Sequence, residues 1–201
     1  FKYRTFSCSL LTAILLTIAS LSTYMFLPLY MQNVMGQPAT MSGIPVTIQS
    51  VVAAVLSSFF GQFIAKTGKV KQAAALCAIL MGAVNIYYFT MSATSPVAGI
   101  WVGQLFFGVA ATIQMTAFHM AVQSFMPPET IGVATATVQT GQGIGATIGS
   151  AVFTAVSLTN ADMSMSLSYV FLAAGVIALV ALPFTLMIGG RARVQAEPTL
   201  E

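Results

Sequence analysis

Long apolar runs alternate with short polar or turn-rich pieces along the whole chain. The runs cover residues 6–30, 41–65, 72–91, 97–123, 132–158 and 166–188, and the pieces between them are residues 31–40, 66–71, 92–96, 124–131 and 159–165. A hydrocarbon layer of about 30 Å takes about 20 helical residues to cross, and each run meets that requirement. A membrane-spanning barrel would instead show strands of about 10 residues with alternating polarity, a pattern this chain lacks. The expectation is an all-α membrane protein with six transmembrane helices.

Composition narrows the function classes. Of 201 residues, 57% are hydrophobic and 5% charged, against about 25% charged in a water-soluble domain. With 7 basic and 4 acidic side chains the chain cannot clothe a globule in water. Soluble enzymes, disordered chains and nucleic-acid binders are excluded, and the net charge of +3 is no nucleic-acid signal. Cys8 and Cys77 lie inside apolar runs without metal-ligand spacing. They are read as small buried hydrophobes, with no disulfide, metal or cofactor expected.

The basic residues set an orientation. Lys2 and Arg4 precede the first run, Lys66, Lys69 and Lys71 fill the second connection, and Arg191 and Arg193 follow the sixth run. Lys and Arg are retained on the cytoplasmic side, so all seven share one face. Glu129 falls on that face too, while the opposite loops hold Asp162 and no basic residue. Both termini are expected in the cytoplasm, with residues 189–201 as a cytoplasmic tail. The first run lacks the short apolar region and small-residue cleavage site of a signal peptide. The chain opens at Phe1 without an initiator Met, and a preceding segment is expected.

The polar residues inside the spans are few, and their spacing is informative. Every carboxylate lies outside a span, and His119 is the one intramembrane titratable group apart from tyrosine and cysteine. Gly108, Thr112, Thr116, His119 and Gln123 recur at helical spacing and share one stripe of the fourth helix, which should face water or protein. His119 is expected to stay neutral, satisfying its nitrogens across a helix interface, and to tune a cavity without carrying a transported proton. One histidine without a neighbouring acid or nucleophile assembles no catalytic cluster, so no enzyme is expected. Gly141, Gly145 and Gly149 on the fifth helix form two overlapping small-xxx-small steps, a face that lets another backbone approach. Gly141-Gln142-Gly143 is no nucleotide loop, since it neither follows a strand nor opens a helix. Ser50, Ala54, Ser57, Ser58 and Gly61 make a comparable face on the second helix. Each face packs either within the chain or against a partner. The amides Gln49, Asn85, Gln104, Gln114, Gln139 and Gln142 are costly against lipid and should gather toward an aqueous cavity or an interface. Pro28 and Pro183 are expected to kink the first and sixth helices, and Pro45 to sit in the first turn of the second.

These residues resemble a known family. The stretch from Gly61 through Lys66, Gly68 and Lys69 to Lys71 is similar to the Gly-x-x-x-Asp-Arg-x-Gly-Arg-Lys loop of the major facilitator superfamily, with Ala65 at the acidic position. Such degeneracy is usual in the second half of superfamily members. Leu29 to Gly36 followed by Ser42-Gly43-Ile44-Pro45 resembles the join between the first two helices of the C-terminal half in fourteen-span drug:proton antiporters. So do the stretches from Pro127 to Ala136 and from Gly145 to Ala151.

The resemblance implies the C-terminal six-helix half of a bacterial inner-membrane exporter, built as a three-plus-three inverted repeat. Residues 1–96 and 97–201 show no sequence similarity of their own. It further implies an N-terminal half as partner, and antiport of amphipathic or cationic small molecules against protons by alternating access. Helices one, two, four and five would line the cavity, with Gln49, Thr112, Thr116, His119, Gln123, Gln139 and Gln142 as candidate lining. The Gly141, Gly145 and Gly149 face would meet the other half, and Ser57 and Gly61 would belong to a second packing face. Helices three and six would face lipid, so that a leucine at Gly175 would be tolerated better than one at Gly145 or Gly149. The rival reading is a six-span homodimeric pore or scaffold without coupled transport.

Overall fold

Lipid offers no hydrogen bonds, so a chain of this apolarity must pair its backbone groups within each span, and helices do so. The computed structural model describes residues 4–125, 128–159 and 162–187. Lys2, Pro127, Ile188, Arg191, Arg193 and the expected tail 189–201 lie outside the described residues, as do the side chains of Arg4, Ala65 and Gln123. The elements are α1 (Arg4–Leu21), a π-helical turn (Ser22–Phe26), α2 (Leu27–Asn33), α3 (Ala39–Thr67), α4 (Val70–Phe89), α5 (Val97–Phe125), a 3₁₀ turn (Pro128–Thr130), α6 (Ile131–Ser157) and α7 (Met163–Leu186). Among the described residues there is no strand. α1, the π turn and α2 together form the first span. Among the described residues five spans are long and apolar enough to cross a membrane: Phe6–Asn33, Ala39–Ile64, Val70–Phe89, Val97–Met120 and Met163–Leu186. α6 has the length, at 27 residues, but its glycines, threonines and glutamines lower its apolarity.

The first span departs from a plain helix for a physical reason. Pro28 has no N–H to offer the carbonyl four residues back, and its ring would strike that carbonyl. The chain widens into π geometry over Ser22–Phe26, and α2 then restarts with Pro28 in its first turn. α3 begins at Ala39, earlier than the apolar run, which places Pro45 a turn deeper than expected. α3 stops at Gly68, whose φ of +63° is a left-handed cap and whose N–H reaches the Ile64 carbonyl at 2.8 Å. α7 starts at an Asp162 cap that accepts from the Ser164 N–H at 2.9 Å.

Helix pairing reveals an internal order that sequence comparison of the two halves does not. α3 packs on α5 and α1 on α6, while α4 packs on both α5 and α7, α1 on α7, and α1 on α5. Exchanging the first three spans with the last three maps α3–α5 onto α6–α1 and α4–α5 onto α7–α1. The pairs α4–α7 and α1–α5 map onto themselves. The two triplets also run in opposite senses: Thr17 meets Gln114, whereas Tyr24 meets Phe107 earlier on α5. This is the packing of two three-helix units of inverted topology. Their shared core holds Leu16, Phe107, Phe118, Phe153 and Phe171, all fully buried.

Two expectations are corrected by this packing. A Cβ on Gly145 would lie 3.0 Å from Ile14 Cγ2 and 3.3 Å from the Ile14 carbonyl oxygen, and on Gly149 3.2 Å from Ile18 Cα. Gly141 likewise faces Leu10 and Ile14. The glycine face of α6 is therefore filled by α1 of the same chain. Gly175 is buried where α7 crosses α4, its Cβ position 2.9 Å from Ile86 Cγ1 and 3.4 Å from the Gly82 carbonyl oxygen. Lipid exposure elsewhere on α7 does not extend to this point. Gly175→Leu is thus expected to lower the yield of monodisperse detergent-solubilised protein several-fold, because two backbones would have to separate.

Candidate functional site

Of the amides anticipated from sequence, Gln49 and Gln104 gather, and tyrosines join them. Gln104, on the buried side of α5, donates from Nε2 to Gln49 Oε1 on α3 at 3.0 Å. Gln49 Nε2 in turn donates to the Tyr24 hydroxyl in the π turn. On the other side, the Tyr88 hydroxyl of α4 donates to Gln104 Oε1 at 3.0 Å and also stands 3.3 Å from the Ile100 carbonyl oxygen. A continuous Tyr24–Gln49–Gln104–Tyr88 chain therefore joins the first span, α3, α5 and α4. Gln49, Gln104 and Tyr88 are buried, and in so dry a setting an unpaired amide would be costly. Tyr24 is 43% exposed and packs edge-on against Phe107. The chain of bonds thus runs from an open surface into the bundle.

A second polar junction uses the same π turn. Ser22 Oγ lies 2.5 Å from Asn85 Oδ1 and 2.8 Å from the Ala19 carbonyl oxygen, and Thr23 Oγ1 lies 3.4 Å from Asn85 Oδ1. Asn85, fully buried on α4, donates from Nδ2 to the Met81 carbonyl at 2.9 Å. Within this turn Ser22 and Thr23 are aimed at α4 and Tyr24 at α3. Deeper along α1, Gln114 Nε2 donates to Thr17 Oγ1 at 3.2 Å. Cys77 Sγ donates to the Ala110 carbonyl at 3.2 Å, tying α4 to α5.

The residues expected to line one cavity are dispersed. Gln49 alone enters the network. Thr112 is buried, and its hydroxyl returns to the Gly108 carbonyl at 2.7 Å; Thr116 returns to the Thr112 carbonyl at 2.8 Å. Their stripe faces α3, since a Cβ on Gly108 would lie 3.1 Å from Val52 Cβ and one on Gly61 3.9 Å from Thr116 Cγ2. It is a helix contact, which corrects the cavity reading for Thr112. His119 is partly exposed and its Nδ1 bonds the Met115 carbonyl of its own helix at 2.7 Å, so the expected bond across an interface is replaced by one within α5. Gln139 is exposed on α6 and Gln142 half-buried there, while the side chain of Gln123 lies outside the described residues. Tyr24, Tyr88, Ser22 and Thr23 were not foreseen. The sequence signal available for the π-turn residues was Pro28 a few positions on.

The loop residues Lys66 and Lys69 are exposed at the α3–α4 connection, beside the cap at Gly68. Lys66 occupies the last turn of α3, where its charge complements the negative helix end. Among the described residues no group of His, Cys, Asp or Glu is placed to hold a metal ion. The described carboxylates, Glu129 and Asp162, stand at helix starts outside the bundle interior. What the interior offers is uncharged donors and acceptors.

Two helices remain under-packed. In the most apolar window of α3 only 11% is buried, against 56% for the first span and for α5. Its buried stripe (Ser42, Gln49 and Ile64) meets the rest of the bundle. About a third of a turn away runs an exposed small-residue face, Ser50, Ala54, Ser57 and Ser58, with half-buried Gly61 at its end. Val51, Val55 and Phe59 form a third, large apolar and exposed side. α6, the symmetry mate of α3, shows the same division. Opposite its glycine face lie exposed Ala136, Thr140, Gly143, Thr147 and Ala151.

A six-span bundle of two inverted three-helix units, its described interior polar but uncharged, marks a multi-pass membrane protein. The sequence profile of the Major Facilitator Superfamily matches residues 5–200, and the chain belongs to that family. Over 159 residues it is 29% identical to a tetracycline resistance determinant of Streptomyces rimosus, an alignment covering 77% of this chain and 45% of that protein. The chain thus spans about half the length of the relative it matches.

Proposed function

We propose that this chain is the C-terminal half of a proton-coupled exporter of amphipathic or cationic drugs in the bacterial inner membrane, working by alternating access with both termini in the cytoplasm. The observation that carries this reading is the pair of exposed small-residue faces on α3 and α6. They occupy equivalent places in the two inverted units and fit the close approach of another helical body better than lipid. The N-terminal half of the same polypeptide is the occupant in this reading, and the cavity lies between the halves. The relative's name, a tetracycline resistance determinant, supports drug export. The described carboxylates stand outside the bundle interior, and the proton-coupling acids are accordingly assigned to the remainder of the transporter. Tyr24, at the open end of the network, offers a hydrogen-bonding contact to a substrate.

The test uses inverted membrane vesicles containing the full-length transporter, with a tetracycline and a cationic dye as substrates. Uptake is expected to follow an imposed pH gradient and to stop when that gradient is dissipated. Gly143→Leu has nothing within 4 Å of its Cβ position, so the protein should insert in normal amount yet lose uptake about ten-fold or more. Gradient-independent uptake would rule out antiport. Disulfide trapping between two copies of Thr147→Cys, rather than between Thr147→Cys and the other half, would favour the homodimeric reading.

A further inference from the structure

A groove of about 170 Å³ opens where α3 ends and α4 begins. Its walls are Phe60, Phe63 and Ile64 of α3, Ala73 and Leu76 of α4 and Ile113 of α5, with Lys69 and Gln72 at its rim. Phe63 and Leu76 are 48% and 46% exposed, so the groove opens on the outside of the six-helix bundle. Lys69 is exposed beside it, and Lys66 and Lys71 complete a set of three lysines in the same connection. The connection from residue 66 to 71 contains no carboxylate, so none of its own side chains neutralises the three lysines. An apolar slot with cations at its mouth complements one kind of molecule, an acyl chain carrying an anionic headgroup.

We propose that this groove is a binding site for an anionic phospholipid of the leaflet that bathes the α3–α4 connection. One acyl chain lies between Phe60, Leu76 and Ile113, and the phosphate is held by Lys69 with Lys66 and Lys71 in support. Lysines on flexible stems reach the headgroup level readily. Residues 189–201 are a poorer occupant. This stretch contains two arginines and two glutamates with no continuous apolar run, so it offers neither net negative charge nor the apolar body the slot requires. The proposal stands independently of what the protein transports.

The experiment places the full-length protein in nanodiscs containing a trace of phosphatidylglycerol or phosphatidylcholine with a photoreactive acyl chain, and maps the adducts by peptide mass spectrometry. Adducts are expected on the peptides carrying Phe60 to Ile64 and Leu76, with phosphatidylglycerol favoured about ten-fold or more. Lys69→Gln should lower that preference about 5-fold, from a contribution of about 1 kcal/mol per lysine near an anionic surface. Labelling by phosphatidylcholine at these peptides should be unchanged by the substitution, which also reports that the fold is intact. Millimolar inorganic phosphate should not compete, because it lacks the acyl chain. Equal labelling by the two lipids, competition by phosphate, or adducts confined to other peptides would each overturn the proposal. So would efficient disulfide trapping of Leu76→Cys by a cysteine placed elsewhere in the polypeptide, which would show a protein segment in the groove.

Discussion

Gly145→Leu is expected to prevent the six-helix half from folding, while Gly143→Leu, two residues away, leaves it folded. At Gly145 a Cβ alone already comes within 3.0 Å of Ile14 Cγ2 and 3.3 Å of the Ile14 carbonyl oxygen. A flexible side-chain tip gives way cheaply, but backbone does not, and Gly141 and Gly149 hold α1 and α6 together one turn to either side. Overpacking of a core typically costs about 1–3 kcal/mol. Here the added branch must push α1 and α6 apart along their length, so a loss beyond about 3 kcal/mol is expected. The readout is the fraction of protein eluting as a single species from detergent, which should fall about ten-fold for Gly145→Leu and little for Gly143→Leu. Equal recovery of the two variants would mean that α1 does not fill the glycine face. The pair also separates folding from transport, since only Gly143 lies on the surface assigned to the other half.

The second large effect is expected at Gln104. Replacing it with leucine keeps the volume roughly constant and removes the donor to Gln49 and the acceptor from Tyr88. Tyr88 can turn to the Ile100 carbonyl, already 3.3 Å away. Gln49 Oε1 has no such recourse. An interhelical hydrogen bond within a membrane is worth only about 0.6 kcal/mol on average, whereas a buried polar atom left unpaired costs about 1–3 kcal/mol. The orphaned carbonyl therefore dominates, and Gln104→Leu should lower Tm by several degrees. With the half-buried Cys8 replaced by serine, Cys77, fully buried between α4 and α5, supplies the signal, because a thiol-reactive dye reaches it only as the bundle opens. Adding Gln49→Leu should cost less than the sum of the single substitutions, since it removes the orphan that the first one made. Strict additivity would show that the two amides do not share a bond.

How much of this was legible beforehand depended on the kind of interaction. Six spans followed from apolar runs because the membrane leaves a chain few alternatives. The gathering of Gln49 and Gln104 was foreseeable for a similar reason, since each amide must find a partner away from lipid. Which partner it finds was not. Tyr24 and Tyr88 have side chains that suit either a lipid interface or a buried bond, and only the packing of the first span against α3 brings Tyr24 to Gln49. Thr112 and Thr116 looked like cavity lining because helical spacing puts them on one stripe. Spacing says nothing of what faces that stripe, and their hydroxyls were free to return to their own helix. The same ambiguity misassigned the glycine face of α6, which in sequence differs little from the opposite face of Thr140, Gly143 and Thr147.

What the sequence determined by itself is the solvent and the element: lipid, from 57% hydrophobic and 5% charged residues, and helix, from the length of each run. The motif between Gly61 and Lys71 and the stretches that accompany it pointed to the superfamily, to which the chain belongs. Only the tertiary structure decided which face of each helix meets which neighbour. In water, amphipathicity marks the buried side, but in a bilayer the apolar side of a helix suits lipid and protein equally, and small residues permit close approach without naming the partner. Association is then settled by the fit of backbones, as at Ile14 against Gly145, and by the pairing of a few amides, as at Gln104. These are geometric facts that no one-dimensional pattern contains.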